Sequence, residues 1–259
     1  MLKVSIITIC YNNEQDIRAT IESVVNQTYP YIEYIIVDGA SKDGSLSIIN
    51  EYRDKISILI SEPDHGMYEA LNKGFQRATG DVIGMIHAGD RLFNNDVINK
   101  IACFYEGHDV DMTYGNSLVV DENDTPRRVN ISPKYSPRLA YKGWMPSHQS
   151  IYCRKLVFEK AGYYRTDLRG GGDYEWFIRA FVKHGSTFRI MGIDEFIIKF
   201  SLGGQSTKNY SSKLSKRYFE YVKKCWTLND LRPPVAITMK MFGRKIKQII
   251  LAKTRYYGK

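Results

Sequence analysis

No stretch of this chain approaches the ~20 consecutive apolar residues that a membrane-spanning helix requires, so it reads as a soluble or peripheral protein. Cysteine is sparse. Cys10, Cys103, Cys153 and Cys225 stand far apart with no CxxC pair, which excludes a zinc framework or a disulfide scaffold and points to reduced, mostly buried thiols. No charged and apolar leader precedes the first apolar segment, Val4-Ser5-Ile6-Ile7-Thr8-Ile9, so secretion is not expected. Two nucleotide motifs are missing as well. Tyr11-Asn12-Asn13-Glu14 stands where a dinucleotide fold carries G-x-G-x-x-G, and no G-x-x-x-x-G-K-[ST] loop occurs, which argues against NAD binding and P-loop ATP hydrolysis. Internal repeats and low-complexity tracts are absent too.

What is present is a chain of 259 residues, long enough to bury a sizeable core, with a formal net charge of +9 that is unevenly spread. Residues 213–259 hold 13 Lys or Arg against Glu220 and Asp230, a net of +11, so residues 1–212 sum to −2. The body is nearly neutral and the tail is basic.

From the start, apolar runs alternate with helix-periodic stretches. The strand Val4 to Ile9 gives way to Asn13, a plausible N-cap, and a helix burying Ile17, Ile21, Val24 and Val25. A strand from Ile32 to Val37 ends at Asp38, and a turn-rich segment leads to a helix with Leu46, Ile48, Ile49 and Tyr52. A third strand, Ile56 to Ile60, precedes a helix carrying Met67, Ala70, Leu71, Gly74, Phe75 and Ala78 on one face, and then comes the strand ending at Asp90. This β-α-β-α-β-α-β order predicts a parallel sheet with right-handed crossovers. After a helix at Asp96 to Tyr105 come shorter extended pieces, Val110 to Tyr114 and Ser117 to Val120. With no linker between them, the two parts read as two lobes of one domain.

Open α/β sheets bind ligands beyond the carboxyl ends of their strands, and the tips here carry Tyr11, Asp38 and Asp90. A carboxylate at Asp90, after small Ala88 and Gly89, suits a hard divalent cation shared with phosphate; its competing role is to cap the helix that follows. Asp64 and His65 lie in a loop at the same edge, and Lys73 meets phosphate if its helix face turns inward, or is simply solvated. In the second half, Gly170-Gly171-Gly172 precede Asp173 at a helix N-terminus, whose dipole keeps a carboxylate ionised, as a cap or as a base.

The segments Val4 to Asn13, Ile35 to Ser45 and Glu62 to Asp81 together resemble family 2 glycosyltransferases of the A-type fold, over roughly residues 3–206. The resemblance implies a nucleotide-binding parallel sheet, mixed at its edge and flanked by helices. It divides the chain into an A-type domain at 1–210, with a nucleotide-binding half at 1–106 and an acceptor half at 107–210, followed by a basic helical extension at 211–259. It gives the base and ribose of a nucleotide sugar to Tyr11, stacking on the base, and Asp38, accepting from base or ribose, the alternatives being a core ring and a turn former; Thr8, Asn12, Asp64, Lys73 and His87 complete the expected nucleotide-sugar set. The family's acidic metal motif corresponds to His87-Ala88-Gly89-Asp90, so only Asp90 remains to hold Mn²⁺ or Mg²⁺, and His87 supports it or packs. The family's Glu-Asp motif falls on Gly172-Asp173, which makes Asp173 the base, with Glu175 the competing candidate and His148 and Trp176 on the acceptor side.

The implied activity is metal-dependent inverting transfer of a hexose or N-acetylhexosamine, UDP-linked first of all, to a glycan or lipid-linked acceptor of a surface polysaccharide. Lack of membrane spans and of a Q-x-x-R-W signature argues against a processive synthase. Two other classes stay open: a sugar nucleotidyltransferase, which should carry a basic glycine-rich loop near the first strand, and a nucleic-acid-binding protein, which needs a basic patch that the near-neutral body does not show, so no nucleic-acid partner is expected. Drawn as a helix, residues 235–257 line up Val235, Met239, Phe242, Ile246, Ile249, Ile250, Tyr256 and Tyr257 opposite Lys240, Arg244, Lys247 and Arg255, a pattern that Ile237, Leu251 and Lys253 break. That stripe suits either the protein's own core or an anionic surface; reduced thiols and the absence of a leader imply a cytoplasmic protein, and the net +11 of the tail favours a peripheral position at the inner face of the membrane.

Overall fold

The computed structural model describes residues 1–168, 170–202, 216–234 and 237. Its first half is the alternating unit: β1 (Val4–Cys10), α1 (Ile17–Val25), β2 (Ile32–Asp38), α2 (Ser45–Glu51), β3 (Ile58–Ser61), α3 (Met67–Arg77) and β4 (Val82–His87). These strands run parallel in the order β3-β2-β1-β4. Every residue of β1 is buried, because the strand is central and helices cover both faces, which is why its sequence shows no polar alternation.

Local chemistry moves some boundaries. Asn13 does not cap α1 directly: its carbonyl accepts from the Ile17 amide at 3.0 Å and its side chain from the Asp16 amide at 3.2 Å, so a turn precedes the helix. Val25, expected in the core, is half-buried at the last residue of α1. Met67 is exposed at the first position of α3, and Tyr68 takes the inward place instead.

The second half comprises β5 (Arg91–Leu92), α4 (Val97–Gly107), β6 (Met112–Val120), β7 (Pro126–Asn130), α5 (Arg138–Tyr141), β8 (Ile151–Arg154), α6 (Lys155–Ala161), α7 (Gly172–Phe177), β9 (Ile190–Ser201) and α8 (Lys216–Thr227). Strand β8 pairs antiparallel with β4, and β6 antiparallel with β8 and parallel with β9, so one sheet continues across both halves. The two pieces expected at Val110–Tyr114 and Ser117–Val120 are one strand. Its register against β9 shifts between Tyr114 and Ser117, and that irregularity breaks the sequence pattern.

Apolar cores fill both faces of the sheet. One holds side chains of α1, α2 and α4. The other joins α3, α6 and α7 to Val222, Cys225 and Trp226 of α8, so this helix of the basic C-terminal segment is docked on the body. Cys10, Cys153 and Cys225 are buried as expected, whereas Cys103 is exposed. Among the described residues no helix is long and apolar enough to cross a membrane. The helix expected over 235–257 lies outside the described residues except for Ile237, which is buried.

Candidate active site

Parallel pairing brings the strand tips level: Cys10 stands opposite Asp38, Ile9 opposite His87, and Asp38 opposite Ser61. Beyond β1, Tyr11 exposes 64 % of its surface, as a ring offered to a ligand does and a core ring does not. Asn12 adopts a left-handed conformation (φ 46°) and ties the two loops together: its amide donates to Ser41 Oγ at 2.9 Å, and its side chain accepts from the Lys42 amide at 2.8 Å. Asp38 is fully buried, and its carboxylate accepts from the Ser41 hydroxyl and, at 2.7 Å, from Ser61 Oγ. Asp64 lies across Gly39 from Tyr11. A methyl group at Gly39 would stand 2.6 Å from Asp64 Oδ2 and 3.2 Å from the Tyr11 ring, so only glycine lets the two close together.

At the β4 tip, Asp90 does not cap α4, whose preceding residue is Asp96. Its Oδ2 accepts from Gln149 Nε2 at 2.6 Å and its Oδ1 from the Ser201 amide at 3.0 Å. Burial pushes its carboxyl up to about 6, against the lowering effect of those two donors. Gln149 also accepts from the His87 amide at 2.8 Å. The His87 ring lies 5.0 Å from that of His148, and Nε2 of each is buried without a hydrogen-bond partner. Burial holds His87 well below the ordinary histidine value; it lowers His148 too, with Asp173 opposing.

His148 Nδ1 stands 3.8 Å from Asp173 Oδ2, and Tyr68 Oη donates to Asp173 Oδ1 at 3.2 Å. Asp173 sits in the first turn of α7, just after Gly171, which is left-handed at φ +73° and lies under the ring of Tyr221 from α8. Asp90, Gln149, His87, His148, Asp173 and Tyr68 thus form one continuous line from the β4 tip to α7.

Other expected residues stand apart from this line. Thr8 is buried and bonds Tyr34 Oη at 3.0 Å inside the sheet layer. Lys73 turns to Glu62 at 2.9 Å, Glu69 at 3.3 Å and the Pro63 carbonyl at 3.0 Å. Glu175, 1 % exposed, is spent on Arg179 at 2.9 Å and Asn229 at 3.1 Å. Trp176 is packed against Phe158 and Tyr164, with its indole N–H donating to the Gly162 carbonyl. Sequence reasoning missed Tyr68, Gln149, Gly39 and the serines that hold Asp38. Ser41 was within reach, since a serine three residues past an Asp in a turn bonds back to it; Gln149 and Tyr68 meet their partners only through the fold.

Among the described residues no cluster of three His, Cys, Asp or Glu side chains could hold a metal ion. A single buried carboxylate at a strand tip, Asp90, fits a hard cation that takes its remaining ligands from phosphate and water.

A family model described as glycosyl transferase family 2 matches residues 5–164, more than half the chain. The chain belongs to that family. It is 32 % identical over 181 residues to a glycosyltransferase of Mycobacterium tuberculosis named as uncharacterized, covering 68 % of each chain. It is 28 % identical over 180 residues to the PGL/p-HBAD biosynthesis glycosyltransferase of Mycobacterium bovis BCG, again covering 68 % of each. Among solved structures, TarS of S. aureus in complex with UDP superposes with a TM-score of 0.70 at 19 % identity, over 95 % of this chain and 72 % of that one. A mannosyltransferase of Pyrobaculum calidifontis in complex with GDP-Man and Mn²⁺ gives 0.65 at 16 %, over 99 % and 75 %. These neighbours share the A-type glycosyltransferase fold. Membership sets aside the nucleotidyltransferase and nucleic-acid readings.

Proposed function

We propose that this glycosyltransferase moves a hexosyl or N-acetylhexosaminyl group, with inversion, from a nucleotide sugar to a hydroxyl of a glycan or lipid-linked acceptor in surface-polysaccharide synthesis. The observation that carries the reading is the placement of Asp173, held by Tyr68 and His148, at the far end of a line of polar groups that begins at Asp90. Tyr11, Asn12 and Asp64 form the nucleotide edge, with Asp38 setting the shape of its floor through Ser41 and Ser61. UDP is the first donor to test, because Tyr11 offers one exposed ring for a base and TarS is described with UDP and UDP-GlcNAc.

In the reaction Asp173 takes the proton of the acceptor hydroxyl while that oxygen bonds to the anomeric carbon, and the bond from that carbon to the diphosphate oxygen breaks on the opposite face. Tyr68 donates to one carboxylate oxygen of Asp173 and His148 Nδ1 stands 3.8 Å from the other, so the base is held in one orientation. Asp90 would hold Mn²⁺ or Mg²⁺, which when bound supplies positive charge to the leaving diphosphate. Glu175 and Trp176 shape α7 from behind.

The test is nucleotide release from a panel of UDP-, GDP- and dTDP-sugars with lipid-linked and glycan acceptors, in Mn²⁺ and in EDTA. The expected result is acceptor-dependent release with one donor, an inverted product, and loss of turnover in EDTA and in Asp90→Asn. A retained anomeric configuration, or full turnover in EDTA, overturns the corresponding part of the reading.

A further inference from the structure

Gln149 is 2 % exposed on the turn that enters β8, and an amide so deeply buried must satisfy both of its ends. It does so across the active site. Its N–H donates to Asp90 Oδ2 at 2.6 Å, and its carbonyl accepts from the His87 backbone amide at 2.8 Å. A carboxamide is the side-chain group that donates and accepts from one planar unit, so the plane of the amide ties the plane of the carboxylate to the end of β4. The opposite carboxylate oxygen is held from the other side by the Ser201 amide at 3.0 Å, at the end of β9. Asp90 is therefore clamped between two elements that meet only in the folded sheet. On the same turn as Gln149, His148 reaches Asp173 at 3.8 Å, which puts this turn inside the site and not merely in the packing behind it.

We propose that Gln149 is a positioning residue, whose amide holds the Asp90 carboxylate in place to ligate a divalent cation that the donor diphosphate would share. The inference rests on the role given to Asp90 above. Without the amide the carboxylate keeps a single donor, turns about its χ angles, and presents a less ordered ligand. Groups that orient a metal ligand in this way change metal affinity by about 10- to 100-fold when removed.

The experiment uses the full chain, with UDP and GDP titrated calorimetrically in EDTA and in MnCl₂. In the unaltered protein the cation strengthens binding of the preferred nucleotide about tenfold or more. Gln149→Met, of similar volume and without a donor, is expected to lose most of that enhancement while nucleotide affinity in EDTA holds and the protein remains folded, with an unfolding temperature lowered by the two lost hydrogen bonds. Gln149→Asn, whose amide falls one methylene short, reads the same quantity if the methionine variant does not fold. A folded variant that keeps the full enhancement overturns the proposal. Variants that both fail to fold, or that lose nucleotide binding equally in EDTA, make Gln149 a packing residue and overturn it too. No cation enhancement in the unaltered protein overturns the role of Asp90 instead.

Discussion

Gly39 leaves no space for a methyl group between Asp64 and the Tyr11 ring. Gly39→Ala is expected to swing Asp64 away and weaken nucleotide binding about tenfold, or ~1.4 kcal/mol, with little effect on stability; calorimetry and circular dichroism measure the two. The two acidic residues of α7 part company just as sharply. Asp173 is partly exposed beside His148 and Tyr68, whereas Glu175 is buried in an ion pair with Arg179. Asp173→Asn is expected to lower turnover by ~10² or more and leave urea unfolding unchanged. Glu175→Ala, which strands a largely buried guanidinium, is expected to cost about 3–5 kcal/mol of stability. If Glu175→Gln folds and is dead while Asp173→Asn turns over normally, the assignment of the base is reversed. The Asp at 173 was legible because glycines and a helix start surround it; that Glu175 faces inward was legible only as a different direction on the helix, and its partners Arg179 and Asn229 were not.

Helix α8 packs on α7 of the second half. Trp226 is fully buried and its indole N–H donates to Tyr174 Oη at 2.9 Å, while Tyr221 covers Gly171 beside Asp173. Trp226→Ala is expected to cost about 3–5 kcal/mol in urea unfolding, and more turnover than donor affinity, because the loss falls under α7. The β4 tip and the turn at 147–150 carry the pH response. His87 and His148 titrate below the ordinary histidine value in the fold, so the unfolded chain takes up their protons first, and the stability they contribute is present above ~6.5 and lost as pH falls below it. Asp90 works in the opposite sense: with its carboxyl raised to about 6, the folded state takes its proton first, and this stability is present at low pH and lost as pH rises through that value. In cation-free buffer, stability is expected to fall between about pH 7 and about pH 5, and to fall more steeply in Asp90→Asn, which lacks the opposing carboxylate; urea titrations across that range check it.

At the scale of the whole molecule, charge is segregated: residues 213–259 carry a net +11 on a body near −2. We propose that this segment holds the enzyme at an anionic membrane surface, each Lys or Arg near it contributing ~1 kcal/mol at low salt. The full chain is expected to pellet with anionic vesicles at low salt and stay in solution at high salt, and deletion of residues 233–259 to abolish the salt-sensitive part; equal pelleting of both forms would sink the idea. Sequence alone determined the parallel half of the sheet, because uninterrupted apolar runs ended by turn residues answer to local periodicity and to burial on both faces. It also determined which carboxylates stand at strand ends, since a strand tip is a local event. The tertiary structure decided which of these groups meet. Gln149 reaches Asp90 across 59 positions and Tyr68 reaches Asp173 across 105, and no short-range pattern encodes a contact made by bringing β4, β8 and α7 together. It likewise decided that Thr8 and Glu175 face inward and that Lys73 is neutralised by Glu62 and Glu69, because burial and pairing are set by whichever element packs against a side chain, not by its neighbours in the chain.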